Sequence, residues 1–171
     1  MLLYANGDSH TASEYSYAGL VAKEFGYNIC NEAIGGSSNA SIIRRTREYI
    51  TNNKPDFLII GWSTWDREEW FYDNNYYDVN SSGHATVPDA LQEKYKNWVR
   101  MQTSDTLSDK SKQWHNDIHR LHKDLNQKNI RHLFFNCMYN FVHTIDGTTS
   151  DKPFNWNNQY IDPYDNNNSY Y

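Results

Sequence analysis

Four strand-like runs alternate with segments of helical period, and no other feature of the chain constrains its fold as strongly. Leu2 to Asn6, about Asn28 to Glu32, Phe57 to Trp62 and Arg131 to Asn136 read as strands. Between the first two, Ser13 to Glu24 sets Tyr17, Leu20, Val21 and Phe25 at helical spacing and stops at Gly26. A second helix runs from Ser38 or Asn39 to about Thr51 with Ile42, Ile43 and Tyr49 inward. Asp89 caps a third, ending at Met101, and Thr106 or Ser108 opens a longer one to about Gln127 with Trp114, Ile118, Leu121 and Leu125 as its core stripe. Strands separated by helices pair in parallel, with helices on both faces of the sheet. The expectation is an α/β chain folded as a three-layer α/β/α sandwich. At 171 residues, with no repeat and no linker, it is one domain.

Two stretches fall outside that rhythm. Residues 66–88 read as a long aromatic loop, and loops of that length inside a compact domain usually carry function. The rings Trp62, Trp65, Trp70, Phe71, Tyr72, Tyr76 and Tyr77 would surround the mouth of any site at the end of the third strand. Residues 139–171 read as an irregular tail with no periodicity. The helix after Gly36 carries Arg44-Arg45-x-Arg47, expected as a solvated face. The long helix carries His115, His119 and His122 beside its stripe. Without a carboxylate or cysteine pattern, they are expected as a half-exposed flank rather than a metal site.

Composition excludes several classes. A net charge of -5 with scattered Lys and Arg leaves no basic stripe for nucleic acid. No apolar run has membrane-spanning length, and Met1 leads directly into the first strand, so the expected location is cytoplasmic, with no membrane partner. Cys30 and Cys137 are expected as reduced core or near-core residues.

The chemistry concentrates where strands end. Gly7-Asp8-Ser9 follows the first strand, so Ser9 falls at a helix N-terminus, where unpaired N–H groups favour developing negative charge. Asn31-Glu32-Ala33-Ile34-Gly35-Gly36-Ser37-Ser38-Asn39 follows the second as a Gly-rich turn, and Gly61-Trp62-Ser63-Thr64-Trp65-Asp66-Arg67 closes the third. Together these segments resemble the first three motif blocks of the SGNH (GDSL) hydrolase family, over about the first 140 residues. The resemblance implies a flavodoxin-like parallel sheet and an ester hydrolase acting through an acyl-serine. Ser9 would be the nucleophile and Asp8 would help fix the turn. The N–H groups of Ser9 and Gly36, or its neighbour Gly35, would hold the oxyanion. Ser63 stands where the family has an asparagine and would offer a hydroxyl instead. His10, Asn39, Trp62, Thr64 and Trp65 are the expected substrate-lining residues. The Gly-Trp-Ser/Thr form with a following acidic residue and arginine is similar to a branch associated with tailed bacteriophages, which adds the virion as a location.

The resemblance also implies a late Asp-x-x-His, which the sequence lacks, so the expectation is a chain ending before the family's last unit. His143, after the fourth strand, is the stand-in base, with Asp146 close enough in sequence to orient it. Such chemistry requires no metal or organic cofactor. The partner is a small-molecule or polysaccharide ester, an O-acyl sugar being favoured if the aromatics line a groove. The competing reading is a non-catalytic carbohydrate-binding or virion-associated module of the same fold. A flavodoxin-type small-molecule binder is a third, lacking a phosphate-cradling glycine pattern.

Overall fold

A computed structural model of the chain describes residues 1–141 and 154–164, with the backbone of Thr144–Ile145 and Thr148–Thr149. Strands β1 (Leu2–Asn6), β2 (Asn28–Asn31) and β3 (Phe57–Trp62) come first, then β4 (Glu68–Tyr72), β5 (Asn75–Val79) and β6 (His132–Asn136). Four of them form a parallel sheet in the order β2-β1-β3-β6. The helices are α1 (Ser9–Ala12), α2 (Tyr17–Phe25), α3 (Asn39–Asn52), α4 (Gln92–Arg100) and α5 (Ser104–Gln127). The expected α/β class with a parallel sheet is the one observed. Side chains alternate across it: Tyr4, Leu58, Ile60, Trp62 and Phe134 face α3 and α5, whereas Leu3, Ala5, Ile59 and Phe135 face α2. Because β1 lies between β2 and β3, the chain reverses direction across the sheet there, and the carboxyl ends of β1 and β3 adjoin. Open α/β sheets bind ligands in such a crevice.

Where the structure departs from the sequence reading, packing supplies the reasons. The expected helix from Ser13 to Glu24 begins only at Tyr17, as α2, and the short helix α1 precedes it. Ala18 and Ala22 take the inward positions of α2, while Leu20 and Phe25 are 59% and 66% exposed. Small inward residues let the helix lie close to the sheet, a preference that a search for large apolar side chains misses. The stretch 66–88 contains a hairpin of β4 and β5. Asp73 and Asn74, at φ 47° and 58°, form its two-residue left-handed turn. Trp70 is buried there against Val79, Val87 and Tyr95. The arginines of α3 are not a solvated face either. Arg44 binds Glu69 of β4 at 2.7 Å, and Arg45 reaches Asn6 and Ser37, leaving only Arg47 exposed, beside Asp124.

The described part of the tail returns to the core. Phe134 N–H donates to the Gln159 carbonyl and Ile161 N–H donates to the Phe134 carbonyl, both at 2.9 Å, so Tyr160 bridges the free side of β6. Trp156 and Tyr160 are buried against α5. This packing corrects the expected half-exposed histidine flank: His115 and His122 are buried, and His119 stacks on Phe154 at 3.7 Å. His132 Nδ1 lies 2.9 Å from the Ile130 carbonyl, which can only accept, so that nitrogen carries the proton. Its Nε2 therefore accepts from His122 Nδ1 at 2.9 Å, and His122 Nε2 accepts from the Asn126 amide at 3.0 Å.

Both rings are thus neutral and fully engaged. Burial first, then the neighbouring His132, pushes His122 down to about 4, and burial lowers His132 as well. An unfolded histidine titrates near 6.5, so between that value and about 4 the unfolded chain binds a proton that the folded chain refuses. Stability accordingly falls as pH drops through that window, by up to about 3 kcal/mol for His122. Urea titrations between about pH 7.5 and pH 4 should show this loss, and His122→Gln should flatten it. An unchanged slope in the variant would place the acid sensitivity elsewhere.

Candidate active site

Asp8 is the residue on which the site is assembled. It follows β1 directly, is fully buried, and caps α1 by accepting the His10 N–H at 3.0 Å through Oδ1. The same oxygen lies 3.0 Å from His10 Nδ1, while Oδ2 accepts from the Ser63 hydroxyl at 3.2 Å and from Arg67 Nη1 at 3.3 Å. One carboxylate therefore joins the end of β1, the first turn of α1 and the loop after β3. The preceding Gly7 permits this closeness, since a Cβ there would lie 2.8 Å from the Gly61 carbonyl oxygen.

Ser9, the first residue of α1, is exposed. A Cβ added to Gly35 would lie 3.7 Å from that of Ser9, so the Gly-rich turn after β2 passes beside the serine. Gly36 sits at φ 84°, a left-handed conformation that glycine adopts without strain. Among the described residues the backbone N–H groups of Ser9 and Gly36 donate no hydrogen bond. Two donors are thus without a partner among the described residues, one where α1 begins and one in the Gly-rich turn.

Several expected lining residues are interior instead. Asn39 is fully buried: its Oδ1 accepts the Ser63 N–H at 2.9 Å, and its amide donates to the Ser63 and Thr64 carbonyls at 3.2 and 3.4 Å. It fixes the loop after β3 and has no group left for substrate. Trp62 lies in the core at 0% exposure and Trp65, at 3%, stacks on Phe141. Thr64 is buried too, its hydroxyl without a partner among the described residues. Apolar area drives these rings inward, so no aromatic mouth of Trp62, Trp65 and Trp70 exists. Exposed rings occur instead on the hairpin, at Phe71, Tyr72 and Tyr76.

Ser63 also departs from its expected role. Arg67 Nη1 donates to its Oγ at 2.7 Å, and an arginine cannot accept, so the single hydroxyl proton goes to Asp8. A donor already committed to a buried carboxylate is not available to an oxyanion. In the sequence Arg67 is only the end of a motif, with no role attached to it. Its spacing of four from Ser63 is the signal that could have raised it.

His10, held by Asp8, lines an apolar cavity of about 350 Å³ together with Tyr17, Ile59, Phe135, Cys137 and Ile161. Among the described residues, the donors grouped closely enough for a metal are Asp8, His10 and Cys137, within 4.8 Å of one another. Both Asp8 oxygens already hold hydrogen bonds, and burial, then Asp8, pushes the Cys137 thiol far above its ordinary range. His143 and Asp146 lie outside the described residues.

No protein-family model and no curated protein matches the chain. Solved structures do. TesA aligns with 82% of the chain and 62% of its own, at 13% identity and a TM-score of 0.47. The acetyl xylan esterase AlAXEase aligns with 87% and 64%, at 15% identity and a TM-score of 0.48. The psychrotrophic esterase EstA from Pseudoalteromonas sp. aligns with 78% and 58%, at 13% identity and a TM-score of 0.42. The present chain spans about three-fifths of the length of those chains, whose shares are 62%, 64% and 58%.

Because Asn39 satisfies three backbone groups of a buried loop, Asn39→Ala should cost about 3 kcal/mol of stability or more, each orphaned group contributing about 1–3 kcal/mol. Chemical denaturation checks this. A neutral result would return Asn39 to the set of ligand-facing residues.

Proposed function

We propose that the chain is a serine ester hydrolase of the SGNH type, with Ser9 as nucleophile. The observation that carries the reading is the placement of Ser9: exposed, at the first position of α1 and beside the Gly-rich turn, with its own N–H unpaired among the described residues. Ser9 Oγ attacks the ester carbonyl as a base removes its proton. The N–H groups of Ser9 and Gly36 hold the resulting oxyanion, and collapse of the tetrahedral intermediate expels the alcohol. Water then hydrolyses the acyl-serine. Asp8, with its partners, fixes the strand-to-helix turn that presents Ser9.

The base in this reading is His143 oriented by Asp146, both assigned on sequence position alone. The cavity beside His10 has the size and apolar lining to take the acyl part of an ester. Trp62, Trp65 and Trp70 are buried and line no groove, and the apolar cavity favours a simple acyl ester as the substrate class.

Intact-mass labelling with a fluorophosphonate probe tests the reading. The native chain should take up one equivalent, Ser9→Ala none, and His143→Ala should react slower by about a hundredfold or more. Equal labelling of Ser9→Ala, or none of the folded native chain, would overturn it.

A further inference from the structure

We infer that Arg67 binds the oxyanion in place of the third-strand hydroxyl, so that this site stabilises developing negative charge with a guanidinium rather than with a neutral side chain. The inference rests on the ester-hydrolase reading and changes its electrostatics. Three observations carry it.

First, the hydroxyl at the motif position is turned away. Ser63 receives a hydrogen bond from Arg67 at 2.7 Å and gives its only proton to Asp8 at 3.2 Å. Second, Arg67 stands at the junction of all three motif segments. Its Nη1 contacts Asp8 after β1, the Ser37 carbonyl in the Gly-rich turn and Ser63 after β3, at 3.3, 3.3 and 2.7 Å. Third, those contacts use a single nitrogen. Nε and Nη2 make no hydrogen bond among the described residues, and the side chain keeps 19% exposure. A guanidinium has five N–H donors in a planar fork. Arg67 is thus anchored by one arm with the remainder available to an anion.

Asp8 explains why the cation tolerates so enclosed a place. The buried carboxylate pairs with Arg67 at 3.3 Å in the resting site, and an oxyanion forming nearby adds a second anionic partner without moving the first. A preorganised charged donor of this kind strengthens as charge develops on the carbonyl oxygen and costs little reorganisation at the moment of reaction.

The test is the affinity of the purified chain for methylphosphonate, a tetrahedral oxyanion that needs no activated serine, measured by isothermal titration. The native chain should bind it. Arg67→Met should weaken binding tenfold or more with an unchanged near-ultraviolet dichroism spectrum. Arg67→Lys, which keeps the pair with Asp8 but loses the fork, should weaken it several-fold and serves if the Met variant does not fold. In esterase or phosphonate-labelling assays the loss should fall on the rate constant rather than KM, by about a hundredfold. Arg67 variants that bind like the native chain, or a native chain that does not bind, would overturn the assignment. Absence of serine labelling with Arg67-dependent anion binding intact would overturn the nucleophile reading and with it the oxyanion role, leaving Arg67 as an anion-binding residue only.

Discussion

A buried carboxylate must be answered by donors, and the Asp8 side chain recruits them from distant parts of the sequence. Its two oxygens take the N–H of His10, the hydroxyl of Ser63 and the guanidinium of Arg67. Breaking one such partner inside a protein leaves a charge that neither water nor a neighbour compensates, a cost of about 3–5 kcal/mol. The ends of β1 and β3 are therefore locked at a fixed separation. The Gly-rich turn joins the same lock through the Ser37 carbonyl, and Asn39 closes it from α3. These ties make a rigid platform on which Ser9 can be exposed without being loose.

The large-scale order of the fold was legible because its signals are local. Strand ends at Asn6 and Trp62, the α3 stripe of Ile42 and Ile43, and the α5 stripe of Trp114, Ile118, Leu121 and Leu125 all follow from apolar periodicity. Periodicity failed at α2, where Ala18 and Ala22 pack the sheet and larger neighbours face solvent. It failed again at Trp70, because a two-residue turn of Asp73 and Asn74 lacks the glycine that marks most such hairpins. At the candidate site, the position of Ser9 and the glycines was readable from the motif order. The direction of the Ser63 proton was not, since it depends on two partners, Asp8 and Arg67, whose meeting requires the folded chain.

The arginines illustrate the same limit. A cluster on a helix reads as a solvated face, yet Arg44 ties the hairpin to α3 and Arg45 reaches under the Gly-rich turn to Asn6. Each is only partly exposed, so these contacts are less screened than surface ion pairs. The acidic partner Glu69 belongs to a segment with no helical or strand signal of its own. Charge pairing thus fixes the hairpin in a place that hydrophobic pattern alone leaves open.

The bridge between Tyr160 and β6 has a consequence for how the chain is assembled. Trp156 and Tyr160 complete a cluster whose other members, among them Trp62, Ile118 and Phe134, are synthesised well before them. A chain emerging from the ribosome would hold β6 with one edge unpaired and the histidine side of α5 uncovered until residue 160 is released. Unpaired strand edges and bare aromatic surfaces are the features through which nascent chains associate wrongly. Contacts made late in synthesis thus withdraw adhesive surface, and early termination upstream of Phe154 would expose it.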